Sequence, residues 1–152
     1  RGKEFCGLYQ KYICKGQQLM SLCELYEYAD DNNIPIISFE MPLSESMSVL
    51  QDGNCYIGID PMMLQSETEE KEKLSHELGH CATGAFYNRY AACDIREKHE
   101  RRANIWSIKK LIPKDELLKA LDDCFCANRF ELAEHFGVSE DFMQMALDYH
   151  LK

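Results

Sequence analysis

The chain holds 152 residues, 45% of them hydrophobic and 28% charged, with a formal net charge of -9. That size suits one domain with a real core, and the apolar fraction excludes a disordered chain. The acidity excludes a general nucleic-acid binder, and no apolar run approaches the roughly 18 residues that cross a membrane.

Residues 1–15 contain neither an apolar stretch of signal-peptide length nor a small-residue cleavage site, so a cytoplasmic location is expected. Eight cysteines stand at positions 6, 14, 23, 55, 81, 93, 124 and 126. They form no CxxC pair, and without an export signal most are expected to be reduced, buried thiols. Cys124 and Cys126, the one close pair, read as two positions at a helix end or turn.

Gln17 to Asp31 reads as an amphipathic helix, with Leu19, Leu22, Cys23, Tyr26 and Ala29 on one face. Ile34 to Phe39 is a short β-branched and aromatic run, hence a strand, and Pro42 ends it. Ser48 to Leu50 and Cys55 to Ile59 flank Asp52-Gly53, a pair suited to the positive φ angles of a tight hairpin. After Asp60-Pro61 the pattern is helical. Ser66 to Ala82 opens with four glutamates, favourable against the helix dipole, and Gly84 marks its end. Residues 85–94 form an aromatic loop. Helices follow over Ile95 to Ile112, Asp115 to Cys124, Arg129 to Phe136 and Glu140 to Tyr149, with Ser139 placed to cap the last. Helix, small sheet, then helices make an α+β chain, expected to be a single domain: a core over 17–113 and a helical tail over 114–152.

One motif dominates: His76-Glu77-Leu78-Gly79-His80. On a helix, residues four apart share a face, so both imidazoles can reach one metal ion. Glu77 is rotated by roughly 100° and lies beside the metal, able to act on its water. Gly79 is small enough for another segment to approach closely. A catalytic zinc needs a third protein ligand and an open fourth position. Asp94, Glu97, His99 and Glu100 are candidates. Glu100 is favoured, because Asn104 stands one turn further on and can hydrogen-bond a zinc-bound histidine. His99, facing another direction on the same helix, is the main rival. Tyr87, Tyr90 and His99 are close enough in sequence to supply a donor for the oxyanion.

These residues carry a family resemblance. The motif HELGH, then Phe86-Tyr87-Asn88, then Glu100-x-x-Ala103-Asn104 before Trp106 and the run from Ile108 to Pro113, resembles the ImmA/IrrE metallopeptidases of phages and mobile elements. The resemblance covers about residues 17–150. It implies a zincin-like α+β fold, with a small antiparallel or mixed sheet of about three strands packed on the motif helix. It implies one zinc per chain on His76, His80 and Glu100, with Glu77 as catalytic base. The implied substrate is a helix-turn-helix repressor, cleaved to relieve repression. Asn104 stands where many relatives have Asp, a change that keeps a hydrogen bond and weakens its basicity. The rival expectation is a non-catalytic module that holds a repressor around a structural or vestigial zinc site.

The segment Glu131 to Ser139 resembles the turn of a DNA-binding helix-turn-helix. Residues 115–152 carry nine acidic residues against three basic ones (Lys119, Arg129 and Lys152), so direct nucleic-acid contact is not expected. A cluster of Arg96, Lys98, Arg101, Arg102, Lys109, Lys110 and Lys114 reads as a solvated helix face, or as a rim that attracts acidic substrate segments. Cys81 and Trp106 are read as core. His135 and His150 are read as surface or core residues rather than ligands.

Overall fold

The computed structural model describes residues 19–88, 90–123 and 128–152. The element order is α1 (Leu22–Asp31), β1 (Ile36–Ser38), β2 (Ser46–Gln51), β3 (Asn54–Ile59), α2 (Glu67–Thr83), α3 (Cys93–Leu111), α4 (Lys114–Asp123), α5 (Arg129–Phe136) and α6 (Glu140–Leu151). The chain is α+β, as its pattern predicts. The start of the predicted first helix at residues 17–18, Cys6 and Cys14, and the Cys124–Cys126 pair lie outside the described residues.

Local chemistry sets the boundaries. Ser21 and Glu24 form a reciprocal capping box at the start of α1, with the Ser21 N–H donating to the Glu24 carboxylate at 2.7 Å. Ser66 caps α2 by accepting the Glu69 N–H at 3.1 Å, and Gly84 ends it in the left-handed region at φ 63°. Asp52 and Gly53, at φ 52° and 79°, make the hairpin turn that aligns Val49 with Tyr56 and Leu50 with Cys55.

The sheet order is β1-β3-β2, and β1 runs parallel to β3, so the sheet is mixed. One face of β3, carrying Ile57 and Ile59, is buried with Leu74 and Leu78 of α2 and Leu25 and Ala29 of α1. The core continues through Leu111 and Ile112 to Leu117, Phe136 and Met143. The opposite sheet face presents Ile37, Met47 and Val49 to solvent. Among the described residues, strand β2 is a sheet edge, with β3 as its one strand neighbour, and it lies against α2.

The helical tail is tied to α2 rather than left free. Lys71 Nζ donates to the Phe136 carbonyl at 2.8 Å, at the C-terminal end of α5. The Glu72 carboxylate accepts from the Ser139 backbone N–H and, at 3.1 Å, from its hydroxyl, at the start of α6. A cation thus meets a helix C-terminus and an anion meets a helix N-terminus, each favoured by the local dipole. Phe142, Met143, Ala146 and His150 of α6 are buried. His150 donates from Nε2 to the Ile112 carbonyl at 2.8 Å, a core role.

Two expectations need correction. Most cysteines were expected to be reduced and buried, yet Cys55 of β3 and Cys81 of α2 are joined by a disulfide, with Cα atoms 5.7 Å apart. Strand β3 lies against the back of α2, a pairing that spacing in sequence does not reveal. Cys93 is exposed. Trp106 is only partly buried: its ring packs on Tyr28, and the Lys110 ammonium lies 5.4 Å from its centre.

Candidate metal centre

Helices α2 and α3 build the site between them. They pack closely because Gly79 has no side chain: a Cβ there would lie 2.6 Å from the Ala103 carbonyl oxygen. Ser75 and Ser107, both fully buried, share a hydrogen bond across the same interface. This contact sets Glu100, one turn before Asn104, opposite the two histidines.

His76 Nε2 and His80 Nε2 are 3.1 Å apart. Glu100 places Oε2 3.1 Å from His76 Nε2 and Oε1 3.4 Å from His80 Nε2. These ligand atoms all lie within 4.8 Å of one another. A tetrahedral zinc with bonds of about 2.0–2.1 Å would space its donors about 3.3 Å apart.

The outer nitrogens define the chemistry of the inner ones. His76 Nδ1 meets the Asn104 amide oxygen at 2.8 Å, and His80 Nδ1 meets the Ala85 carbonyl at 2.7 Å. Both oxygens only accept, so each Nδ1 carries a proton, and in its neutral form each ring turns an Nε2 lone pair inward. Two lone pairs and a carboxylate converging at about 3 Å repel one another unless a cation sits among them. The cluster therefore fits a metal ion. The Ala85 carbonyl reaches His80 because Gly84 turns the chain back in its left-handed conformation. A backbone carbonyl leaves no trace in residue type, so the sequence reading missed it.

Glu77 is buried and sits beside the cluster, where its Oε1 accepts from the Ser46 hydroxyl at 2.8 Å. Ser46, on the edge strand β2, is 31 residues away and was also missed; no motif marks it. The Tyr87 hydroxyl donates to Glu100 Oε1 at 2.7 Å. That bond to a carboxylate, helped by partial burial, raises the phenol pKa and keeps Tyr87 protonated. The His80 ring lies 6.2 Å from Phe86 and 6.4 Å from Tyr87.

The other candidates fall elsewhere. His99 is not in the cluster; its ring lies 6.0 Å from that of Tyr87, and its buried Nδ1 has no hydrogen-bond partner among the described residues. Tyr90 is 83% exposed on the rim, so the structure does not bring it into the cluster. Asp94 pairs with Lys98 on the outside of α3, and Glu97 accepts from the Cys93 thiol at 3.4 Å.

Two open grooves flank the centre. One, of about 610 Å³, runs along α3 to α6 and is lined by Arg96, Glu100, Arg101, Ile105 and Tyr149. The other, of about 570 Å³, lies between β2 and the 86–90 loop, with Ser48, Val49, Leu50, Phe86, Tyr87 and Tyr90 on its walls. Both contain Tyr87, whose hydroxyl donates to Glu100, and the first is lined by Glu100 itself.

A family profile described as the IrrE N-terminal-like domain, Peptidase_M78, matches residues 31–148. None of the curated proteins matches the chain. Among solved structures, a Mycobacterium tuberculosis transcriptional regulator has a similar fold, with a TM-score of 0.65 and 13% sequence identity. The likeness covers 88% of this chain and 43% of that one, so this chain spans less than half of the regulator's length.

Proposed function

Because the chain belongs to the IrrE N-terminal-like peptidase family, we propose that it is a zinc-dependent endopeptidase acting on a regulatory protein inside the cell. The observation that carries this reading is the convergence of His76, His80 and Glu100 beside a buried, hydrogen-bonded Glu77. Two histidines and one carboxylate are a donor set suited to a catalytic zinc, leaving one tetrahedral position for the reaction. When bound, zinc supplies Lewis acidity that makes a water more acidic and polarises the scissile carbonyl.

The chain's own residues supply the rest. Glu77 takes the proton of the attacking water and passes it to the leaving amine. Ser46 holds the Glu77 carboxylate through Oε1 and leaves Oε2 for that proton. Asn104 and Ala85 hold the two imidazoles in the tautomer that binds metal. Tyr87 steadies Glu100, and by turning its one hydroxyl proton away from that carboxylate it can donate toward an oxyanion instead. The outer edge of β2, unpaired among the described residues, offers backbone groups to an extended substrate segment.

The substrate we propose is a helix-turn-helix repressor of a phage or mobile element, whose cleavage relieves repression. The similar solved structure is named a transcriptional regulator, which agrees with a regulatory setting. Co-expression with repressors of the same genetic element, wild type against Glu77→Gln, tests the proposal. Repressor fragments that appear only with wild type would support a peptidase. Intact repressor that copurifies with both proteins would instead support a non-catalytic binding module.

A further inference from the structure

We propose that Cys55 and Cys81 form a reversible, peroxide-oxidised thiol pair that controls how firmly the metal centre holds its ion. The pair stands on its own geometry, whatever bond the peptidase centre cuts. Cys81 follows His80 directly on α2, and Cys55 lies on the middle strand of the sheet. Their bond joins the C-terminal turns of α2 to β3. Strand β3 is hydrogen-bonded along its length to β2, which carries Ser46 to the Glu77 carboxylate. One covalent link therefore touches both sides of the site: the helix with the metal histidine and the sheet that positions the base.

Both cysteines are only partly buried, so small oxidants and reductants reach them. The chain also has an extensive apolar core of its own and does not need a disulfide to replace one. In a reducing compartment the pair rests as two thiols. With hydrogen peroxide, one thiolate attacks an oxygen; an S–O bond forms, the O–O bond breaks, and water leaves. The second thiolate attacks the sulfenic sulfur; the S–S bond forms and hydroxide leaves as water. Two thiols lose two electrons and two protons, and the peroxide becomes two waters. A dithiol reductant reverses the step by becoming a disulfide itself. With the bond closed, His80 is pinned to the sheet and the ligand cage opens less readily to release its ion.

The test uses the full chain loaded with zinc. Equal samples are treated with hydrogen peroxide or with dithiothreitol, then alkylated and mapped. Trypsin must be combined with a glutamyl endopeptidase, because one tryptic peptide carries both Cys23 and Cys55. The expected result is a Cys55–Cys81 linked peptide after peroxide, absent after dithiothreitol. Zinc transfer to a chromogenic chelator should be about threefold slower or more in the oxidised protein. Cys55→Ser should remove that difference while keeping the zinc, and the wild-type mapping stands even if this variant folds poorly. Three results overturn the proposal: no linked peptide after peroxide, a link that dithiothreitol cannot open in the folded protein, or equal zinc transfer in the two states.

Discussion

Ser46 Oγ donates to Glu77 Oε1 at 2.8 Å, joining the sheet edge to the buried carboxylate beside the metal cluster. A carboxylate held by one oxygen keeps the other oriented for proton transfer. Removing a hydrogen bond to such a charged acceptor costs roughly 1.5–3 kcal/mol, or about 10- to 150-fold in rate if the bond serves the transition state. Ser46→Ala is therefore expected to lower repressor cleavage by about that factor, with zinc content unchanged. Ser46→Thr keeps the hydroxyl and should restore most of the loss. Glu77→Gln, by contrast, should abolish cleavage and still hold zinc. Metal analysis with gel assays of the co-expressed repressor checks all three variants.

The Asn104 amide holds His76 in its metal-binding tautomer through the 2.8 Å contact to Nδ1. Losing such a partner typically costs about 10- to 100-fold in metal affinity. Asn104→Ala should weaken zinc binding by about that much. Asn104→Asp should strengthen it, because a carboxylate makes the imidazole a better donor. Competition against a chelator of known affinity measures both shifts. A stronger site in Asn104→Ala would show that Asn104 does not support the ligand.

Much of this arrangement is legible in the residues, because helix ends carry chemical marks. Ser66 and Gly84 bound α2, Gly137 and Ser139 divide α5 from α6, and Asp52-Gly53 makes the hairpin. Spacing within one helix likewise places His76 and His80 on one face. Relations between elements are not written that way. The partnership of Ser46 with Glu77 depends on how β2 lies on α2, and the Cys55–Cys81 bond on how β3 does. The parallel pairing of β1 with β3 places consecutive strands apart, which short apolar runs cannot signal. Support from the Ala85 carbonyl depends on backbone direction alone.

Asp60 anchors the segments that leave β1 and β3. Its carboxylate accepts from the Met41 N–H at 2.7 Å and the Met62 N–H at 2.9 Å. The Met41 bond above all lowers its pKa from 3.8. A carboxylate with a depressed folded pKa stabilises the fold above its unfolded pKa, near 4, and that stability is lost as pH falls through the lower folded value. Asp60→Asn should therefore melt at a lower temperature than wild type at neutral pH. The gap should shrink as the pH drops below about 4. Thermal scans from pH 7 to pH 2.5 check this; a constant gap would exclude the carboxylate charge as its cause.

Glu72 holds the start of α6 through the Ser139 N–H and hydroxyl. Leaving a partly buried donor without its acceptor costs roughly 1–3 kcal/mol, or about 2–10 °C in Tm at this size. Glu72→Ala should show such a loss, with faster amide exchange concentrated in α6. Zinc affinity should stay near wild type, since the metal cluster lies further along α2. Exchange that rises equally throughout the chain would mean that Glu72 supports the whole fold and not the tail.

Gly79 offers the sharpest test of how the two metal-bearing helices are held. In an exposed helix, Gly→Ala stabilises by about 1 kcal/mol, because alanine restricts the unfolded chain. Here the new Cβ would lie 2.6 Å from the Ala103 oxygen and 3.0 Å from its Cα, all of it backbone that cannot rotate aside. The helices must separate, and overpacking of this kind costs about 1–3 kcal/mol. Separation also moves Glu100 away from His76 and His80, since Ala103 and Glu100 share α3. Gly79→Ala is therefore expected to lower Tm by several degrees, against its helix propensity, and to weaken zinc binding by about tenfold or more. Calorimetry and chelator competition on the same preparation check both effects. A higher Tm with unchanged zinc affinity would show that α2 and α3 are not held in contact at Gly79.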